Sequence, residues 1–264
     1  MNAALPDESA KATAQAKDFT TQEFSAEQAL HILRTGEFRH EHGMLPWGSN
    51  YCFLLTVGQQ DEELLAIYKP QRGERELWDF PRGTLCFREV AAYETALALG
   101  WSIVPPTALR EGPYGIGSLQ CFIHHDPEQH YFNFQAEGSH LIPQLKRLAL
   151  FDCLINNADR KGGHCLLDER QQLWGIDHGV SFHSQPKLRT VIWDFAGEAL
   201  PDALCADVSK WRQSLAEGSS FRQQMSNLLS ETEINALEVR AKDLLDSGKY
   251  PQPGQGSNYP WPPV

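Results

Sequence analysis

Residues 154–182 read LINNADRKGGHCLLDERQQLWGIDHGVSF, and their order decides the reading of the fold. Asp159 lies in an Asn-Asn-Ala-Asp-Arg loop that ends an apolar helix, and Asp177 lies in an Ile-Asp-His-Gly turn that ends a short strand, 18 positions later (177 − 159). The stretch between them, HCLLDERQQLWG, reads as a hairpin, because two short apolar runs flank a polar turn. Helix, loop, strand pair and Asp-x-Gly turn is an order that presents one carboxylate as a base and a second as a cation ligand. Lys69, in AIYKP, is the upstream cation that completes the set.

Working outward, the helix before the loop is LIPQLKRLALFDCLINN, with an apolar stripe at Leu141, Leu145, Leu148 and Ile155. Asp152 falls on that stripe, and a buried aspartate needs partners, so it is expected to brace the loop backbone. Upstream, FSAEQALHILRTGEF reads as a helix with a Ser25/Gln28 capping box and a stop at Gly36. YCFLLTV and ELLAIYKP read as strands joined by the turn GQQDE. CFREVAAYETALALG reads as a helix closed by Gly100, and SIVPPTALR and GIGSLQCFIHH as two further strands. Downstream, helices are expected near 207–217 and 231–246, the second opened by a Ser230/Glu233 capping box.

The expected class is α+β: a two-lobed architecture, β-rich at the N-terminal side and α-rich after it. Residues 1–22 are expected to be a disordered tail, 23–123 an N-lobe of sheet and helix, 124–248 a C-lobe, and 249–264 a Pro/Gly-rich tail that is neither helix nor central strand. The hinge between lobes is expected near 120–127.

Composition bounds the partners. A net charge of −11 argues against sequence-independent nucleic-acid binding and against docking on anionic membranes. No apolar run approaches the length of a membrane span, and the first residues lack the pattern of a signal peptide. The six cysteines show no Cys-x-x-Cys spacing, which implies a reduced, cytoplasmic protein. The ten histidines lack His-x-x-x-His spacing, so a structural zinc site is not expected.

The pattern suits phosphoryl transfer, which needs phosphates neutralised, a metal held and a nucleophile pointed in line. Lys69 at a strand end would neutralise phosphate, and Glu89 or Glu94 on the next helix would hold it; the helical wheel does not choose between them. Asp159 would accept the proton of a substrate hydroxyl, Arg160 and Lys161 would meet transferred charge or Asp159 itself, and Asp177 would hold a metal. Each aspartate alone is also an ordinary turn residue; the order of all three groups is what carries the reading. Lys187 and Arg189, in KLRTVIWDF, stand where an acidic substrate would be met, or are simply a solvated pair.

The segments AIYKP, REVAAYETALALGW, LFDCLINNADRKGGH and GIDHGVSF resemble an uncharacterised bacterial group related to the phosphatidylinositol 3-/4-kinases, within the protein-kinase-like fold. The likeness runs over most of residues 37–201 and extends, more distantly, to the HipA toxins. It implies an ATP-dependent kinase using Mg²⁺ or Mn²⁺. By the same resemblance Lys69 contacts the α/β-phosphates and Glu89 pairs with it, Asp159 is the catalytic aspartate and Asp177 the main metal ligand. The strand SLQCFI, with Gln120 and Phe122, runs into the segment that receives adenine.

Two departures shape the expectations. His164 stands five positions after Asp159, where related proteins often carry a metal-binding Asn; imidazole suits Zn²⁺ or Mn²⁺ better than Mg²⁺. No Gly-x-Gly-x-x-Gly loop is present; HGMLPWGSNYCF occupies its place, with Ser49 and Asn50 as the phosphate donors expected there. The acceptor is expected to be a protein or small-molecule hydroxyl. The competing readings are a nucleotide-binding regulator without turnover (a pseudokinase) and a transferase of AMP.

Overall fold

The computed structural model describes residues 24–45, 50–134 and 139–264. The tail expected at 1–22 lies outside the described residues, as does Ser49. By contacts the chain forms two compact units, one of Met1–Cys86 with Pro106–His124, the other of Phe87–Pro105 with His125–Val264. Residues 87–105, which the sequence reading groups with the N-terminal sheet, therefore cluster with the second unit.

The first unit opens with helix α1 (Ala26–Thr35). Its Ser25/Gln28 capping box is present, and Ala29, Leu30, Ile32 and Leu33 are its buried face. Five antiparallel strands follow: β1 (Glu37–Met44), β2 (Phe53–Gln59), β3 (Glu62–Pro70), β4 (Thr107–Gly112) and β5 (Gly115–Cys121), in the sheet order β1-β2-β3-β5-β4. The β2–β3 turn is two residues long, since Gln59 pairs with Glu62, and Gln60 takes a left-handed φ of 53° to close it. β1 is a strand that the sequence does not announce. Its residues EFRHEHGM have no apolar alternation, and its register on β2 slips twice, between Phe38 and His40 and between Glu41 and Gly43. Arg110 of the opposite edge strand donates to the carbonyls of Leu33 and Gly36 and lies 4.3 Å over the Phe38 ring.

The second unit holds α2 (Leu85–Ala98, all but its first two residues), the short α3 (Tyr131–Phe134), α4 (Ile142–Ile155), the hairpin β6 (Cys165–Leu167) and β7 (Leu173–Gly175), and helices α5 (Asp202–Arg212), α6 (Ser220–Met225) and α7 (Glu231–Ser247). α4 is the centre of this unit: Leu145, Leu148, Leu150, Phe151, Leu154 and Ile155 are all buried. Pro143 sits in its first turn, where a missing N–H costs nothing. α7 begins with the expected Ser230/Glu233 capping box and ends at Gly248 in the left-handed region.

The C-terminal stretch 249–264 is not a free end. Tyr250 is buried and donates its hydroxyl to the Lys146 carbonyl, Tyr250 N–H bonds Glu198, and Pro260 is buried. All six cysteines are free thiols.

Candidate active site

In the second unit the chain leaves α4 through Asn156, which takes a left-handed φ of 54° and sends its N–H back to Asp152. Asparagine tolerates that conformation, and its side chain is used as well. Asn156 Nδ2 donates to the carbonyls of His183 and Gln185, and its Oδ1 accepts the Lys187 N–H at 2.8 Å. Asn157 donates to Asp152 Oδ1 at 2.9 Å and accepts the Asp159 N–H at 3.0 Å. The two asparagines thus anchor the Asp159 loop on one side and the 183–187 segment on the other. The sequence reading did not single them out, though two adjacent amide side chains at a helix end are the available signal.

Asp152 is fully buried and plays the bracing part expected of it. It forms a buried ion pair with Arg160, Nη2 to Oδ1 at 3.0 Å and Nε to Oδ2 at 3.0 Å. Arg160 corrects the sequence expectation. Its side chain is 0% exposed. Besides Asp152 it donates to the carbonyls of His164 (3.1 Å) and Ile176 (2.8 Å) and meets His178 Nε2 at 2.6 Å. A guanidinium whose donors all point inward is a clasp between the Asp159 loop and the Asp177 turn, not a group offered to transferred charge. Its backbone N–H bonds the Arg189 carbonyl, and its carbonyl accepts the Val191 N–H, so the 189–191 segment lies beside the loop in an isolated parallel bridge at Thr190.

Asp159 is half-buried with Lys161 Nζ 3.6 Å from its Oδ2. Burial pushes its carboxyl up to about 6; the charge of Asp177 pushes the same way, and Lys161 opposes both. A carboxylate poised near neutrality, beside a cation, suits a general base.

Asp177 takes a left-handed φ of 60° in its turn. Its Oδ2 lies 3.2 Å from His164 Nε2. His164 Nδ1 lies 2.9 Å from the Asp159 carbonyl oxygen, which can only accept, so the proton of a neutral imidazole is on Nδ1 and the lone pair is on Nε2, facing Asp177. Two donor atoms at this spacing match neighbouring ligands of one divalent cation, each about 2.1 Å away. A carboxylate and an imidazole are donors that a divalent cation accepts, and among the described residues no cluster of three or more His, Cys, Asp or Glu ligands exists.

Glu89 on α2 is buried, and its Oε2 accepts the His178 N–H at 2.9 Å, which braces the Asp177 turn from behind. Glu94 is buried too, so neither carboxylate lies on a solvated helix face.

The remaining expected residues are on the first unit. Lys69 pairs with Ser118 and is half-buried near the end of β3. By strand alternation it shares a face with Leu65 and Ile67. Ile67 pairs across to Leu54 and to Gln120 on the same face. Leu45, Ile67 and Phe122 pack partly buried around Leu54 and Leu65, an apolar floor next to one lysine. Gln120 is buried and donates to Thr107 at 2.9 Å, so its side chain serves the sheet. Asn50 Oδ1 accepts the Arg75 N–H at 2.7 Å and ties down the segment after β3.

The fold has counterparts among known proteins. A structure of the Helicobacter pylori proinflammatory kinase CtkA superposes with a TM-score of 0.50 at 12% identity, over 83% of this chain and 94% of that one. At that identity the likeness shows the fold: a two-lobed, kinase-like α+β fold. The chain is 36% identical over 252 residues to the Mycobacterium tuberculosis protein Rv2133c, covering 83% of this chain and 90% of that protein. The family model "Phosphatidylinositol 3- and 4-kinase" matches residues 17–236. With most of its length so matched, this chain belongs to the phosphatidylinositol 3- and 4-kinase family.

Proposed function

We propose that the chain is an ATP-dependent phosphotransferase whose acceptor is a protein or small-molecule hydroxyl. The observation that carries this is the second unit's arrangement of Asp159, Lys161, His164 and Asp177. Asp159 takes the acceptor's proton as the acceptor oxygen bonds the γ-phosphorus, and the bond from that phosphorus to the bridging oxygen breaks to release ADP. Lys161 attracts the charge on the transferred group, the part that a fully buried Arg160 cannot take. Asp177 and His164 hold Mg²⁺ or Mn²⁺, which when bound neutralises phosphate charge. On the first unit, Lys69 is assigned to phosphate and the floor of Leu45, Ile67 and Phe122 to the base. Asn50 is assigned to loop support rather than direct phosphate contact, and Glu89 to bracing the Asp177 turn.

The acidic net charge supports an acceptor other than a lipid of an anionic bilayer. The His164–Asp177 pair also favours a second reading, a regulator that binds nucleotide without turnover, because an imidazolium there would hold Asp177 without a metal.

Purified protein incubated with γ-labelled ATP, beside α-labelled ATP and with either cation, tests the reading. Transfer of γ label that is lost in Asp159→Asn, while ATP binding persists, is the expected result. Transfer of α label would mark AMP transfer, and binding without transfer under both cations would leave the regulator. His164→Asn should shift the preference from Mn²⁺ toward Mg²⁺.

A further inference from the structure

The last residues of the chain run back to the Asp159 loop. The Pro263 carbonyl accepts the Gly162 N–H at 2.7 Å. The Asn258 carbonyl accepts the Thr190 N–H at 3.1 Å and the Trp193 indole N–H at 3.0 Å. Asn258 is itself fixed, its side chain bonding Gly254 in both directions and the Gly256 carbonyl. The segment is rooted at Tyr250, and its prolines restrict the unfolded alternatives, so little entropy opposes the docking.

What it touches matters more than that it docks. Gly162 opens the single 3₁₀ turn Gly162–His164. A first-turn N–H has no partner within its own helix, and here the partner comes from the end of the chain. The turn presents His164, whose Nδ1 meets the Asp159 carbonyl and whose Nε2 meets Asp177. A Cβ at 162 would stand 3.0 Å from the Phe132 ring, a tight approach, and 3.5 Å from the Pro263 oxygen, an ordinary contact. The second pair of contacts fixes Thr190, which bridges to Arg160 beside Asp159. The tail therefore grips the loop carrying Asp159, Lys161 and His164 at one point directly and at a second through the adjacent 190–193 segment.

We propose that residues 256–264 are a positioning element for the proposed reaction: the tail caps the Gly162–His164 turn and so sets His164 against Asp177. The inference rests on the functional reading above for its catalytic consequence, but its structural claim stands apart from it.

Removing Pro262–Val264 deletes the cap and leaves the Tyr250 and Asn258 anchors. Amide hydrogen exchange, read peptide by peptide, should accelerate on the order of tenfold or more across residues 159–165 and stay unchanged in α4. Turnover should fall about tenfold or more, as a displaced catalytic group dictates, with KM for ATP held within about twofold. Asn258→Ala in the full-length chain, which deletes the three side-chain hydrogen bonds that fix the tail, should show the same local exchange change even if the truncated chain does not fold. Unchanged exchange at 159–165, or acceleration spread evenly over the unit, overturns the proposal; so does a rise in turnover, which would make the tail a block. Should the full-length chain transfer no phosphate, the functional reading fails, and the exchange comparison alone decides whether the tail holds the loop.

Discussion

Replacing Arg160 by methionine separates the clasp from a phosphate-binding role. The substitution leaves the fully buried Asp152 carboxylate with Asn157 as its remaining side-chain donor. Stranding one member of a buried ion pair costs roughly 3–5 kcal/mol. The part-buried Ile176 carbonyl also loses its donor, at a cost of about 1–3 kcal/mol, whereas the His164 carbonyl keeps the Ile176 N–H at 3.0 Å. These contributions overlap, because the freed space admits water and the loop relaxes, so a net loss of about 5 kcal/mol is expected. That is a large share of the roughly 5–15 kcal/mol that holds a domain folded. Equilibrium urea unfolding followed by the fluorescence of the seven tryptophans measures it. Asp152→Leu combined with Arg160→Met removes both charges, and should recover a few kcal/mol relative to the single variant, since no charge is then stranded. The reasoning is refuted if Arg160→Met unfolds within about 1 kcal/mol of the parent yet loses on the order of a hundredfold in turnover. Arg160 would then act on the reacting phosphate.

Two further outcomes are expected. The acid limb of the pH–rate profile should fall near the value of about 6 to which burial raises Asp159, because activity is lost as the base is protonated; Lys161→Met removes an opposing cation and should move that limb to higher pH, and an unmoved limb would separate Asp159 from the titration. Asn156→Gly keeps the left-handed backbone but deletes three side-chain hydrogen bonds, so a net loss of roughly 1–3 kcal/mol in thermal or urea unfolding is expected despite the easier backbone, and a stabilised variant would contradict it.

Where local chemistry and tertiary packing agree, the sequence was legible. Ser25 and Gln28, like Ser230 and Glu233, carry their capping signal within four residues, and both boxes form. The helix–loop–hairpin–turn order around Asp159 and Asp177 could be read because each piece has its own short-range signature. Arg160 could not be placed that way. A cation beside a candidate base looks functional along the chain, and only three dimensions reveal Asp152 eight positions back on the core side of α4. The burial of both Glu89 and Glu94 was illegible for the same reason: helix periodicity gives angles, not what packs at each angle. The tail read as an idle end because prolines and glycines lack periodicity, and periodicity does not report docking by backbone carbonyls.

Strand β1 has a consequence for how the molecule behaves in company. It is one edge of the five-stranded sheet, and an open edge can template the strand of a neighbouring molecule. Its Glu37, Arg39 and Glu41 charges and two register slips make it a poor template. The other edge, β4, is engaged by α1 through Arg110. The irregularity that hides β1 from a search for alternating apolar residues is thus the same property that keeps these sheets from joining edge to edge in a crowded solution.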